Sequence, residues 1–153
     1  MIFYLMRHGE AESFAVTDAQ RRLTETGRLK LERQLKQIDA ELLDIDCILH
    51  SPYQRAKETA ALVSAQLGIL PEPSLSAWTP DASPSAALDS LEAFADRTPL
   101  VVTHLPLVGY VTALCCEGST QYPAVFGCGE IVRIKADWPA AGLGQLQQQW
   151  RPV

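Results

Sequence analysis

The sequence has 153 residues, 47% of them hydrophobic and 20% charged, which is the size and make-up of one globular domain. Eighteen Asp and Glu against thirteen Lys and Arg give a net charge of −5, so the whole-molecule field disfavours nucleic acid and anionic membrane as partners, and any anion site has to be local. The opening apolar run is short and has no basic segment ahead of it, and no other run approaches bilayer length, so a cytoplasmic protein is expected. Cys47, Cys115, Cys116 and Cys128 form no CxxC pair and are expected to be buried free thiols, not a disulfide or metal framework.

In chain order, Ile2 to Met6 is too short for a helix and fits a strand buried on both faces, ending at Arg7-His8. After a polar loop, Leu31, Leu35, Ile38 and Leu42 recur on one face of a helix that Thr24 can cap. Asp46 to His50 predicts a second strand. Ser51-Pro52 then reads as a cap residue and first-turn proline for a helix carrying Ala56, Ala60, Val63 and Leu67 inward, stopped by Gly68. The proline-rich stretch Pro71 to Pro84 suggests a short edge strand and a surface loop. Ser83-Pro84 repeats the cap signature before a helix lined by Leu88, Leu91 and Ala95. Pro99 to His104 predicts a third strand, and Leu105-Pro106 opens a helix through Val108, Val111 and Cys115. Glu130 to Ala136 and Gln145 to Trp150 add closing strands, one or both antiparallel, around a turn at Pro139 to Gly144. This alternation predicts a single α/β domain over residues 1–153, a three-layer α/β/α fold with a mostly parallel central sheet.

The only three histidines, His8, His50 and His104, each fall at the carboxyl end of a predicted strand, the edge where open α/β sheets bind ligands. Arg7 shares that edge, and Arg55 falls in the first turn of a helix, where the dipole disfavours a cation unless an anion lies opposite. Two guanidinium forks near a helix amino terminus suit a phosphoryl group. Taken singly, each residue also has a plain explanation: Arg7 and His8 as polar residues leaving a strand, Arg55 on a solvated helix face, His104 as a strand end.

Together these residues resemble the histidine phosphatase superfamily, the phosphoglycerate-mutase-like fold. Arg7-His8-Gly9 matches its RHG motif, and Ser51-Pro52-Tyr53-Gln54-Arg55-Ala56-Lys57-Glu58-Thr59 matches its SPxxRAxxT helix start. Leu23-Thr24-Glu25-Thr26-Gly27 matches LTxxG, and His104 stands where the second core histidine is expected. Thr103-His104-Leu105-Pro106-Leu107-Val108-Gly109-Tyr110 is similar to a stretch of the small SixA-type phosphohistidine phosphatase branch. The resemblance runs from the first strand to about Cys115.

The resemblance implies that His8 is the nucleophile and forms a transient phosphohistidine, with one ring nitrogen bare and the other donating to a backbone carbonyl. It implies that Gly9 lets the backbone come close, and that Arg7, Arg55 and a protonated His104 hold the phosphoryl oxygens, with Leu105 beside the substrate. Water would then release phosphate, with no metal or other cofactor. Many relatives place a glutamate after the third strand to protonate an alkoxide. Here Ser76-Ala77-Trp78-Thr79-Pro80 has no carboxylate until Asp81, and Leu105 stands where phytase-like members carry an aspartate. Imidazole, whose conjugate acid has a pKa of about 6.5, leaves with far less help than an alkoxide, so a P–N substrate is favoured. The chain is short enough that a shallow, open cleft is expected. The implied partner is therefore a phosphorylated histidine-containing phosphotransfer protein. Glu10 and Glu12 are either loop solubilisers or part of the site rim. His50 and Ser51 are expected behind the phosphoryl ligands or packed beneath the cleft. Three other readings stay open: a small-molecule phosphomonoesterase, a non-catalytic phosphohistidine binder, and a zinc site built from the three histidines, which the two arginines oppose.

Overall fold

Five strands, β1 (Ile2–Arg7), β2 (Cys47–His50), β3 (Pro99–Thr103), β4 (Ile131–Ala136) and β5 (Gly144–Trp150), form one sheet in the order β2-β3-β1-β4-β5. The computed structural model describes residues 1–152. β1, β2 and β3 run parallel, because each is separated from the next by a helical crossover long enough to bring the chain back to the same edge. β4 pairs antiparallel with β1, and β5 with β4, so both closing strands are antiparallel and the sheet is mixed.

The central strands read as unbroken apolar runs because both faces are covered. Phe3 and Leu5 point with Leu49 and Val101 into a core closed by α3 (Pro84–Ser90) and α4 (Leu107–Glu117). Tyr4 and Met6 point with Ile48, Leu100 and Val102 into a second core closed by α1 (Glu25–Ile38) and α2 (Gln54–Leu67). The result is the expected three-layer arrangement, with helices covering both faces of the sheet. Among the described residues, no helix is long and apolar enough to cross a membrane.

Several boundaries differ from the sequence reading, each for a local reason. Thr24 caps α1 by accepting the Gly27 N–H at 2.9 Å, but the helix ends at Ile38 and reaches Leu42 through a 3-10 turn. Ser51-Pro52 does not start α2. The helix begins at Gln54 with Tyr53 as its cap residue; the Ser51 hydroxyl accepts the Tyr53 N–H at 3.2 Å ahead of the helix and lies 2.7 Å from His104 Nε2. Likewise α4 starts at Leu107, past Pro106. The Pro71–Pro84 stretch forms no strand: Glu72 and Leu75 donate to the Ile48 and His50 carbonyls, but Pro71 and Pro73 lack the N–H a ladder needs. Nor is all of it surface, since Trp78 is fully buried. Of the four free cysteines, Cys47 and Cys115 are buried as expected. Cys116 is half-buried, and Cys128 is exposed in the tight turn before β4.

The LTxxG segment acquires a packing reason. Thr24 N–H donates to the Glu10 carbonyl at 3.0 Å, and a Cβ at Gly27 would overlap that same carbonyl oxygen. Gly27 thus holds α1 against the chain leaving β1. Gly27→Ala is expected to destabilise the fold by about 1–3 kcal/mol, as overpacking does when backbone must move. Urea unfolding checks this as a lowered midpoint at unchanged slope.

Candidate active site

Strand register creates the site. Arg7 lies opposite Thr103 in the parallel β1/β3 ladder, and the His8 N–H donates to the Thr103 carbonyl at 3.0 Å. The next side chains, His8 and His104, therefore emerge together, with ring centroids 5.1 Å apart and planes at 62°. On the far side of β3, the Ser51 N–H donates to the Val102 carbonyl, which brings the Ser51 hydroxyl within 2.7 Å of His104 Nε2.

His8 is held in one tautomer. Its Nδ1 lies 2.6 Å from the Gly9 carbonyl, which can only accept, so Nδ1 carries the proton and Nε2 keeps its lone pair. Arg55 Nε–H donates to that lone pair at 3.2 Å. The Thr59 hydroxyl accepts the Gly9 N–H at 3.2 Å and donates to the Arg55 carbonyl at 2.8 Å, so the last residue of SPxxRAxxT ties the RHG turn to α2. A Cβ on Gly9 would sit 2.5 Å from Leu31 Cδ1, so that side chain would have to shift.

The arginines are fixed by groups outside the motifs. Arg55 is buried, and its Nη1 and Nη2 donate to the Asp18 carbonyl at 2.7 Å and the Asp18 carboxylate at 3.1 Å. Arg21 Nε donates to the other Asp18 oxygen at 2.8 Å. The Tyr53 ring carries the Arg55 guanidinium 5.1 Å above its centroid and meets His104 edge-on, also at 5.1 Å. Arg7 Nη1 donates to the Phe126 carbonyl at 2.8 Å. Arg7 Nε and His104 Nδ1 are buried without hydrogen-bond partners. Buried polar atoms without a partner are rare, and these two belong to side chains that the sequence motifs expect to bind a phosphoryl group.

Burial pushes His8 down from 6.5 to about 4; the Gly9 hydrogen bond opposes this, while Arg55, Arg7 and Arg21 reinforce it. His104 is pushed down to about 2, by burial first and then by His8 and Arg55. Both rings are therefore neutral at physiological pH in the free protein. The protonated His104 that the resemblance implies belongs to the phosphoryl-bound state; in the free protein burial, then His8 and Arg55, favour the neutral ring.

The remaining candidates sort by what they touch. The His50 ring nitrogens face the Ser51 carbonyl at 2.9 Å and the Glu72 carbonyl at 3.1 Å, so the three histidines do not converge. Among the described residues, no three His, Cys, Asp or Glu side chains form a metal-binding group. Leu105 packs, partly buried, against the α3/α4 core. Glu10 accepts the Thr24 hydroxyl at 2.8 Å, and the Glu12 carbonyl accepts from Arg21 at 3.1 Å, so both stabilise the loop. The Trp78 carbonyl accepts the Thr103 hydroxyl at 2.7 Å, which places the carboxylate-free segment beneath the end of β3. Asp81 is exposed beyond it.

Residues 3–79 match the model of the histidine phosphatase superfamily (branch 1). The phosphohistidine phosphatase SixA of Escherichia coli is 31% identical over 99% of this chain and 94% of its own. The chain belongs to the histidine phosphatase superfamily. A SixA homolog from Haemophilus influenzae is 38% identical over 74% of this chain and 76% of its own. The structure of the protein histidine phosphatase SixA complexed with tungstate superposes with a TM-score of 0.87, at 30% identity over 99% of this chain and 97% of that one. Within the superfamily the chain falls in the SixA-type branch.

Sequence reasoning missed Asp18, Arg21 and Tyr53. A buried guanidinium needs an anion, so a carboxylate partner for Arg55 was foreseeable, but choosing Asp18 from several loop acids required the fold.

Two histidines with depressed folded pKa values bind fewer protons than the unfolded chain between their folded and unfolded pKa values. Stability is therefore full above about pH 6.5 and falls as pH drops toward about 4 for His8 and about 2 for His104. The urea midpoint of the wild type should fall from pH 7 to 4.5, and His8→Ala should flatten that fall.

Proposed function

We propose that the protein hydrolyses protein phosphohistidine through a phosphohistidine intermediate on His8, and that its substrate is a histidine-containing phosphotransfer domain. The observation that carries this reading is the His8 tautomer, with Nδ1–H tied to the Gly9 carbonyl and the Nε2 lone pair facing Arg55. Nε2 attacks phosphorus, and the substrate's P–N bond breaks. The departing imidazole leaves neutral, because its other ring nitrogen already carries the proton. Water then attacks the phosphorus on His8, the P–Nε2 bond breaks, and the Nδ1–H tautomer is restored. The protons of water end on inorganic phosphate and solvent.

Arg55 and Arg7 neutralise the phosphoryl oxygens, which is where catalysis of phosphoryl transfer chiefly lies. An anion entering beside His104 favours its charged form, so this ring takes up a proton as substrate binds and becomes a donor while Ser51 holds it in place. The segment beneath β3 brings no carboxylate, which suits a leaving group that needs no acid. In this reading residues 1–153 act as one catalytic domain in the cytoplasm, within a phosphorelay.

A rapid-quench reaction with a phosphorylated phosphotransfer domain should show acid-labile phosphate on His8 that turns over. If the wild type clears the substrate no faster than His8→Ala, the proposal fails. Arg55→Ala should lower kcat by about 10²–10³-fold, the range for removing one oriented charge donor. Comparing kcat/KM for phosphoramidate and for p-nitrophenyl phosphate should give clear preference for the P–N compound; the reverse order would favour a small-molecule phosphomonoesterase.

A further inference from the structure

One peptide unit stands between the Arg7 guanidinium and a buried carboxylate that the reaction above does not use. Arg7 Nη1 donates to the Phe126 carbonyl at 2.8 Å, and the N–H of the same peptide plane, that of Gly127, donates to Glu130 Oε1 at 3.2 Å. The C=O and N–H of a trans peptide point to opposite sides of one rigid plane, so whatever holds the N–H also aims the carbonyl. The Glu130 carboxylate makes no hydrogen bond to the Arg7 guanidinium, and its Oε2 is buried without a partner.

Strand register sets these residues in one row. Met6 pairs with Ile131 and Ile131 with Trp150, so the next row outward is Arg7, Glu130 and Arg151. The Arg7 N–H donates to the Glu130 carbonyl at 3.0 Å, and Arg151 Nε lies 3.3 Å from Glu130 Oε1. The Glu130 side chain is only 4% exposed, against 70% for Arg151. A carboxylate so buried is costly to keep unless its charge is met and its oxygens are used; Arg151 supplies the countercharge and Gly127 the N–H. The turn depends on such a hold. Gly129 sits at φ +76°, its N–H shared between the Arg7 and His8 carbonyls at 3.0 Å each. Gly127, with no side chain, gives the Phe126–Gly127 plane little steric restraint of its own. The Glu130 N–H fixes the plane after Gly127 by donating to its carbonyl at 3.0 Å, and the Glu130 carboxylate fixes the plane before it.

We propose that Glu130 is a positioning residue for Arg7: it aims the Phe126 carbonyl through the Gly127 N–H, and Arg151 anchors it from just past β5. A carboxylate acceptor also polarises the amide, which strengthens the carbonyl as an acceptor for Arg7. This rests on Arg7 binding the phosphoryl group, as proposed above, and adds to that reading the residue that sets its guanidinium.

The test compares Glu130→Met, which keeps the volume without the acceptor, with Glu130→Gln, which keeps the acceptor, in the full chain. Binding of inorganic phosphate is read by calorimetry, and kcat/KM on phosphoramidate. Glu130→Met should weaken phosphate binding and lower kcat/KM, each by about tenfold, the low end for losing a hydrogen bond to a charged group, while Glu130→Gln stays within about threefold of wild type. Arg151→Ala, at an exposed side chain that folding tolerates, should weaken both by about threefold, and it carries the comparison if Glu130→Met does not fold. In an Arg7→Ala background either substitution should add less than about twofold, because its effect runs through Arg7; a role in general stability would instead multiply the losses. Unchanged phosphate binding in Glu130→Met or in Arg151→Ala would overturn the proposal. So would multiplied losses in the double variants, or a Gln variant as impaired as the Met variant. A wild type that binds phosphate with the expected pattern but hydrolyses nothing would remove the phosphatase reading and leave the positioning of Arg7 standing.

Discussion

The parallel pairing of β1 with β3 is the constraint on which the site depends. One ladder bond, from the His8 N–H to the Thr103 carbonyl at 3.0 Å, sets His8 level with His104 though 96 positions separate them in sequence. A slip of one residue in either strand would send one imidazole to the opposite face of the sheet, since side chains alternate. Register is protected by the apolar residues beneath: Tyr4 and Met6 fill one core while Phe3 and Leu5 fill the other, so a slip would also exchange two packed layers. The core holds the chemistry in place by being two-sided.

The site built on that register is a deliberate imbalance of charge. The charges of Arg55, Arg7 and Arg21 all act on the neutral His8 ring, and the Asp18 carboxylate engages two of those arginines, Arg55 and Arg21. Asp18 is exposed while Arg55 is buried, so the carboxylate keeps much of its hydration while holding the guanidinium in position. The protein's net charge of −5 makes the local positive field more selective, because an anion is attracted here and repelled elsewhere.

The α/β layering was legible in the sequence, since buried strands and amphipathic helices differ in length and period, and Ser83 and Thr24 do cap their helices. His8, Arg7, Arg55 and His104 were legible because their motifs carry chemistry at fixed spacing. What escaped was set by tertiary contact. Ser51 had every local mark of a helix cap, yet its hydroxyl, shared between the Tyr53 N–H and His104, lies ahead of a helix that starts at Gln54. His50 shared the strand-end position of the other two histidines, but two carbonyls claim its nitrogens. The protonation state of His104 depends on desolvation and on neighbouring charge, neither of which a linear sequence displays.

One contact links the resting site to its selectivity. The Arg55 Nε–H bond to His8 Nε2 occupies the lone pair that would attack phosphorus. A neutral electrophile gives Arg55 no reason to release it. A phosphoryl group does, because its oxygens are stronger acceptors for a guanidinium than an imidazole nitrogen is. As those oxygens draw the N–H away, the lone pair is uncovered with the phosphorus already in place. Asp18 keeps hold of the far side of the guanidinium, through Nη1 and Nη2, so only its inner edge has to shift. In the reaction proposed above, the same arginine would cover the nucleophile in the free protein and serve the anion once it arrives, with one hydrogen bond exchanged for another.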